Sequence, residues 1–241
     1  MNGSAEGQAR LSLKWLPVAW VGLGFTALVF VVFGMIERGD PTRIIEARFG
    51  DVPLFAFAVY TIGLLVALLV LRYLLSRRQL GWRNVGVTGG LSSKSVLYAF
   101  IGWLVGFFLY YIVEISLTRI GIRMFWNEGD FFGLDTPWRV IGICFATLVI
   151  APIAEEILYR GYVLQALLAK FSTTLAVLLS ALIFASIHIG IGPWMVVYLF
   201  LGALIPAYLF IRFRSIYPCV LMHFLNNIVA YVVIPMVVGK G

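Results

Sequence analysis

Long apolar blocks separated by short polar loops set the pattern of this chain. Hydrophobic runs cover Leu16–Ile36, Val52–Leu75, Val96–Leu117, Trp138–Lys170, Thr173–Ile189, Pro193–Phe213 and Tyr217–Val238. Crossing the hydrocarbon of a bilayer takes about 20 apolar residues in a helix, so these blocks predict membrane-spanning helices. Trp138–Lys170 is too long for one simple span and contains Pro152. The pattern therefore predicts an all-α, polytopic bundle of seven helices, or eight if that block divides at the proline. The short, alternating segments of a membrane β-barrel are not the pattern here. Between the blocks lie a polar loop Glu37–Asp51, a basic, glycine-rich loop Ser76–Ser95 and an acidic, aromatic loop Thr118–Pro137. Gly86–Gly90 and Gly190–Pro193 carry turn chemistry. No internal repeat stands out. The expected division is a polar tail at 1–14, N-terminal transmembrane helices at 15–137 and a core of helices at 138–238.

Composition points the same way. The 241 residues are 62% hydrophobic and 12% charged, with a mean hydropathy of +1.00. Soluble domains run at about 45–50% apolar and about 25% charged. An integral, multi-pass membrane protein follows, of a bacterial or archaeal cell membrane, or of the endoplasmic reticulum in a eukaryote. Leu16–Ile36 is too long for the apolar stretch of a cleaved signal peptide, so it reads as the first transmembrane helix.

The net charge of +7 does not predict nucleic-acid binding. The basic residues sit in short loops beside apolar runs, a distribution that speaks of topology and anionic lipid. With the N-terminus inside, eleven Lys and Arg fall on the inner side, Arg160 among them, and seven on the outer. Cys144 and Cys219 lie in apolar segments and imply no disulfide framework.

Against this background the polar groups inside the apolar blocks carry the chemistry. Ionisable groups in hydrocarbon cost a few kcal/mol each even on lenient scales, and they mark function. Glu155, Glu156 and Arg160 share one block, while His188 and His223, the two histidines of the chain, lie in two others. On a helix Glu156 and Arg160 are i,i+4 neighbours and can neutralise each other. Glu155 is rotated by about 100° from Glu156 and needs a partner from another helix. A secluded acid of this kind suits general acid–base work.

The residues Phe171-Ser172-Thr173-Thr174 predict a tight turn between antiparallel helices. Glu155 and His188 each lie about 16 residues from its centre, so both stand roughly 24 Å above it. Phe184 is one turn from His188 and forms a packing wall. His223 and Asn227, again i,i+4, offer an imidazole and a carboxamide on one face, suited to an oxyanion or to a metal ligand with a supporting hydrogen bond.

These three motifs, Glu-Glu-x-x-x-Arg, Phe-x-x-x-His and His-x-x-x-Asn, follow one another in successive apolar helices. In that order they resemble the CPBP family, which comprises CAAX prenyl proteases of the Ras-converting type and bacteriocin-processing (Abi) membrane proteases. The resemblance covers roughly Val140 to Val233. It implies a fold of eight helices and a glutamate-dependent intramembrane endopeptidase. Carried over, Glu155 and His188 would activate the attacking water, Glu156 and Arg160 would hold their helix in place, and His223 with Asn227 would stabilise the oxyanion. If a metal is bound, Glu155, His188 and His223 would make a His₂Glu zinc set, although no His-Glu-x-x-His spacing occurs. The partners expected are the lipid bilayer and a membrane-anchored or prenylated CAAX-type peptide.

Blander readings stand beside these. A lone His or Asn in a membrane helix is often interhelical glue, and for His188 the depth match with Glu155 weighs against it. Glu114 reads as structural or facing lipid headgroups, and Tyr159 as packing. Trp15, Trp82, Trp103, Trp126, Trp138 and Trp194 mostly fall near block ends, as an interfacial belt does. The rival functions are a non-catalytic membrane interaction or immunity protein and a small transporter, though transporters usually show inverted repeats. One difficulty concerns height. With a plain hairpin near Tyr217, His223 lies only about 9 Å above it, more than 10 Å short of Glu155. The expectation is a broken or tilted helix at Gly190–Pro193 or Gly202–Pro206.

Overall fold

A computed structural model describes residues 11–37, 39–124, 136–234 and 236. Met1–Arg10 of the polar tail, Arg38, most of the loop Thr118–Pro137 with Trp126, and Lys240 lie outside the described residues. Eight helices and a short 3₁₀ turn at Trp82–Val85 make up the described chain. The first, α1, begins as a 3₁₀ segment, Leu13–Trp20, which contains Pro17, and continues as Val21–Glu37. Then follow α2 (Pro41–Phe49), α3 (Val52–Ser76), α4 (Ser93–Arg119), α5 (Pro137–Leu168), α6 (Thr173–Ser186), α7 (Pro193–Phe213) and α8 (Tyr217–Val233). Five of them, α1, α3, α4, α5 and α7, are long and apolar enough to cross a membrane. On α3 and α4, Leu69, Phe108 and Ile112 are more than 60% exposed. So much outward apolar surface is stable against acyl chains rather than water. The protein is an integral, multi-pass membrane protein.

Two boundaries differ from expectation. Trp138–Lys170 does not divide at Pro152: α5 is one helix of 32 residues. It absorbs the proline by widening into π-helical turns at Phe145–Ile150 and again at Glu156–Leu164. The eighth helix comes instead from the polar loop, where Asp40 caps Pro41–Phe49 through Thr42 N–H at 2.9 Å and Gly50 closes it in the left-handed conformation. An Asp cap followed by proline at the first helical position is a strong start signal.

Helix α5 runs through the middle of the bundle. Every residue from Glu156 to Leu164 is buried. The 3₁₀ start of α1 packs against it, with Tyr159 donating its hydroxyl to Ala19 O and Tyr162 to Ser12 O. A partly buried ion pair at 3.1 Å between Arg139 at the start of α5 and Asp51, the cap of α3, joins the first and second halves at one end of the bundle.

The loops at the other end decide the height of α8. Gly86, at φ +80°, turns the chain after Trp82–Val85 and accepts a hydrogen bond from Ile216 N–H at 3.0 Å. Next to it, Val85 O lies so close to Gly161 of α5 that a side-chain carbon there would overlap it. The α7–α8 turn therefore rests at the level of Gly161, seven residues above Leu168 where α5 ends. At 1.5 Å per residue this lifts α8 by roughly 10 Å. No break in α7 is needed: it runs unbroken through Gly202 and Pro206. The expected bend at Gly190–Pro193 or Gly202–Pro206 is replaced by a raised turn.

Candidate active site

The lift of α8 brings His223 to the two glutamates of α5. Consecutive on one helix, Glu155 and Glu156 point to different sides, and both are buried, at 3% and 1% exposed. His223 sits between them. Its Nδ1 is 3.0 Å from Glu156 Oε1 and its Nε2 is 4.0 Å from Glu155 Oε2. One ring thus spans both carboxylates, hydrogen-bonded to the first and standing off the second.

Glu156 has a second partner one turn along. Arg160 Nη1 donates to the same Oε1 at 3.1 Å, with both side chains almost wholly buried. Such a pair is tolerated inside a bundle only when each charge offsets the other. The guanidinium also donates to Ala203 O on α7 at 3.4 Å and lies over the Phe184 ring of α6 at 4.4 Å. It therefore ties α5, α6 and α7 together around Glu156. Arg160 is no loop residue, and the inner basic count falls from eleven to ten.

Glu155 accepts a hydrogen bond from an unexpected quarter. The hydroxyl of Tyr60, on α3, donates to Glu155 Oε1 at 3.0 Å. Its other oxygen is the one that faces His223. Among the described residues no arginine is paired with Glu155.

His188 lies just beyond the end of α6, in the turn that leads to α7, with its backbone N–H on Ala185 O at 3.0 Å. Its Nδ1 is 3.2 Å from Phe184 O. A carbonyl only accepts, so Nδ1 carries the hydrogen in this pair and Nε2 is left for another partner. The ring packs on Phe184 with centroids 5.1 Å apart, and Phe184 also meets the His223 ring edge-on at 6.4 Å. Phe184 is thus the wall common to both histidines. His188 lies within electrostatic range of Glu155 and His223.

Asn227 is held by the π-turn before Pro152. Ala151 N–H bonds to Ala146 O, five residues back. In the same register Thr147 O would meet residue 152, but proline has no N–H to give. Asn227 Nδ2 fills that place, donating to Thr147 O at 2.8 Å. One amide hydrogen is used in this way and the second remains for another acceptor.

All six residues singled out from the sequence, Glu155, Glu156, Arg160, His188, His223 and Asn227, fall on three neighbouring stretches of α5, the end of α6 and α8. Glu114 hydrogen-bonds Tyr110 on its own helix and takes no part. The groups that sequence reasoning missed are Tyr60 and Thr147. A tyrosine eight residues into an apolar span was the available signal for the first; for the second there was none, since a backbone carbonyl has no sequence mark. A zinc site would draw on Glu155, His188 and His223. Among the described residues no three such groups are gathered to hold an ion, and His223 Nδ1 is turned to Glu156.

A family model, that of the type II CAAX prenyl endopeptidase Rce1-like proteins, matches residues 137–229. No curated protein and no solved structure matches the chain. The matched segment runs from the start of α5 to His223 and Asn227 on α8, and so takes in every polar group of the site except Tyr60. Over this segment, somewhat under half of its length, the chain is similar to the type II CAAX prenyl endopeptidase Rce1-like proteins.

Proposed function

We propose that the protein hydrolyses a peptide bond near the membrane-anchored end of a prenylated, CAAX-type peptide, with Glu155 as general base. The single observation that carries this reading is the 4.0 Å gap between Glu155 Oε2 and His223 Nε2, deep in an apolar bundle. Groups that far apart do not bond each other, yet both lie within about 2.8 Å of an oxygen placed between them. Glu155 takes a proton from water as the water oxygen attacks the scissile carbonyl. His188, with Nδ1 given to Phe184 O, offers Nε2 to the same water. His223, bearing hydrogen on both nitrogens, gives Nδ1–H to Glu156 and Nε2–H to the developing oxyanion. The free amide hydrogen of Asn227 adds a second donor. Collapse of the tetrahedral intermediate breaks the C–N bond and passes the proton from Glu155 to the leaving amine, giving a carboxylic acid and an amine, between which the water's second proton moves to leave a carboxylate and an ammonium. These steps use the chain's own groups throughout.

The test is cleavage of a farnesylated CAAX peptide by the purified full chain in lipid, with Glu155→Gln as comparison. The expected result is a loss of about 100-fold or more without a change in thermal stability. Wild-type rates in Glu155→Gln would overturn the mechanism. Cleavage of an unprenylated membrane peptide with no preference for the prenylated one would overturn the substrate class.

A further inference from the structure

The family match begins at residue 137, yet the carboxylate at the centre of the site is held from α3, far outside it. We infer that Tyr60 is a positioning residue for the hydrolysis, fixing Glu155 so that one oxygen is occupied and the other faces His223. The inference rests on the reading of Glu155 as the base.

The geometry of two glycines sets Tyr60 in place. Gly63, one turn along α3, lies so close to Gly22 of α1 that a side-chain carbon on Gly63 would stand 2.9 Å from Gly22 Cα. Close backbone approach at small residues is a common way for membrane helices to associate. A carbon added to Gly22 would in turn stand 3.3 Å from the Tyr60 ring. The ring is thus confined against the bare backbone of α1, and its hydroxyl reaches Glu155 Oε1 at 3.0 Å. A carboxylate can rotate about its last bond at little cost. With Oε1 engaged by Tyr60, Oε2 is the oxygen held towards His223 Nε2. The groups facing Glu155 are then Tyr60 from α3, Tyr159 on α5, His188 beyond α6, and His223 and Tyr231 from α8. Only Tyr60 is hydrogen-bonded to Glu155 among the described residues.

The experiment compares the full chain with Tyr60→Phe, Gly22→Ala, the double variant and Glu155→Gln, all assayed on the farnesylated peptide beside their unfolding midpoints. Tyr60→Phe is expected to lower kcat roughly tenfold, one positioning hydrogen bond's worth, with KM unchanged. Phenylalanine keeps the ring against Gly22, so the unfolding midpoint should stay near wild type while kcat falls. Gly22→Ala keeps the hydroxyl but displaces the ring, so a smaller fall in kcat, again at unchanged KM, is expected, and the double variant should match Tyr60→Phe. A Tyr60→Phe enzyme with the wild-type kcat, or one whose KM rises as far as its kcat falls, overturns the inference while an inactive Glu155→Gln leaves the base intact. Should Tyr60→Phe fail to fold, a wild-type kcat in Gly22→Ala overturns it instead. Wild-type cleavage by Glu155→Gln is the distinct outcome that removes the base itself.

Discussion

The carboxamide of Asn227 donates to the carbonyl of Thr147 at 2.8 Å, closing a gap that Pro152 leaves in the backbone of α5. The contact couples α8 to the helix bearing both glutamates, and it arises from a missing N–H. Asn227→Leu keeps the volume and removes the donor, leaving a buried carbonyl orphaned at a cost of about 1–3 kcal/mol. In a Pro152→Ala background residue 152 has an N–H of its own, and that cost should fall to less than half. Unfolding midpoints of the two single variants and the double variant check this. Equal costs in both backgrounds would refute the coupling.

Gly161 is expected to be the least replaceable glycine of α5. A methyl group there meets Val85 O, which is backbone and cannot swing aside. Gly161→Ala should destabilise by about 1–3 kcal/mol, as overpacking does. It should also lower kcat beyond what the stability loss explains, because the loop it displaces sets the height of α8 and so of His223. Activity measured well below the unfolding temperature separates the two effects.

Arg160 and Glu156 form a second coupled pair. Arg160→Met takes the guanidinium from a buried carboxylate and is expected to cost about 3–5 kcal/mol. Adding Glu156→Gln should recover much of that stability. Activity should not return with it, since the carboxylate is also what orients His223, at 3.0 Å from Nδ1. A double-mutant cycle in stability, run beside peptide cleavage, reads both. An active double variant would show that His223 needs no anchor.

At the surface, Asp40 makes α2 sensitive to acid. Its carboxylate accepts from the hydroxyl and N–H of Thr42, at 2.6 Å and 2.9 Å. The side-chain bond first, and the backbone bond with it, hold the group below its ordinary 3.8. A lowered folded value means that the cap's contribution is present above about 3.8 and is lost as pH falls through the folded value. Hydrogen exchange of α2 should quicken over that fall. In Asp40→Asn the cap persists without an ionisable group, and the pH dependence should vanish.

How much of this was legible in the chain depends on what kind of fact is asked for. Apolar runs announce the helices because bilayer thickness dictates their length, and α3, α4 and α7 begin and end within a few residues of the pattern. Helix α5 was less legible: Pro152 ordinarily breaks a helix, but a π-turn that leaves one carbonyl to a side chain lets it continue. Helix α2 was missed because a nine-residue polar helix has no apolar periodicity, although Asp40-Pro41 marked its start.

The pairing of Glu156 with Arg160 could be read directly, since i,i+4 neighbours are fixed by helix geometry alone. The partner of Glu155 could not. Helical periodicity gives the angle of a side chain about its own axis, and the distance along that axis from a turn. It says nothing of how far one helix slides against the next. That shift is decided by side-chain size at crossings, by Gly161 against Val85 and Gly22 against Gly63.

The chain by itself therefore determined a polytopic helical membrane protein and the six polar residues of its centre, because hydrophobicity and local spacing are properties of sequence. Which glutamate the ring of His223 meets, that Tyr60 joins them from a distant span, and that α8 stands high enough to take part were decided only in three dimensions. These depend on axial register between helices, which is set by contacts between residues as far apart as Ser12 and Tyr162, 150 positions, and by no local pattern.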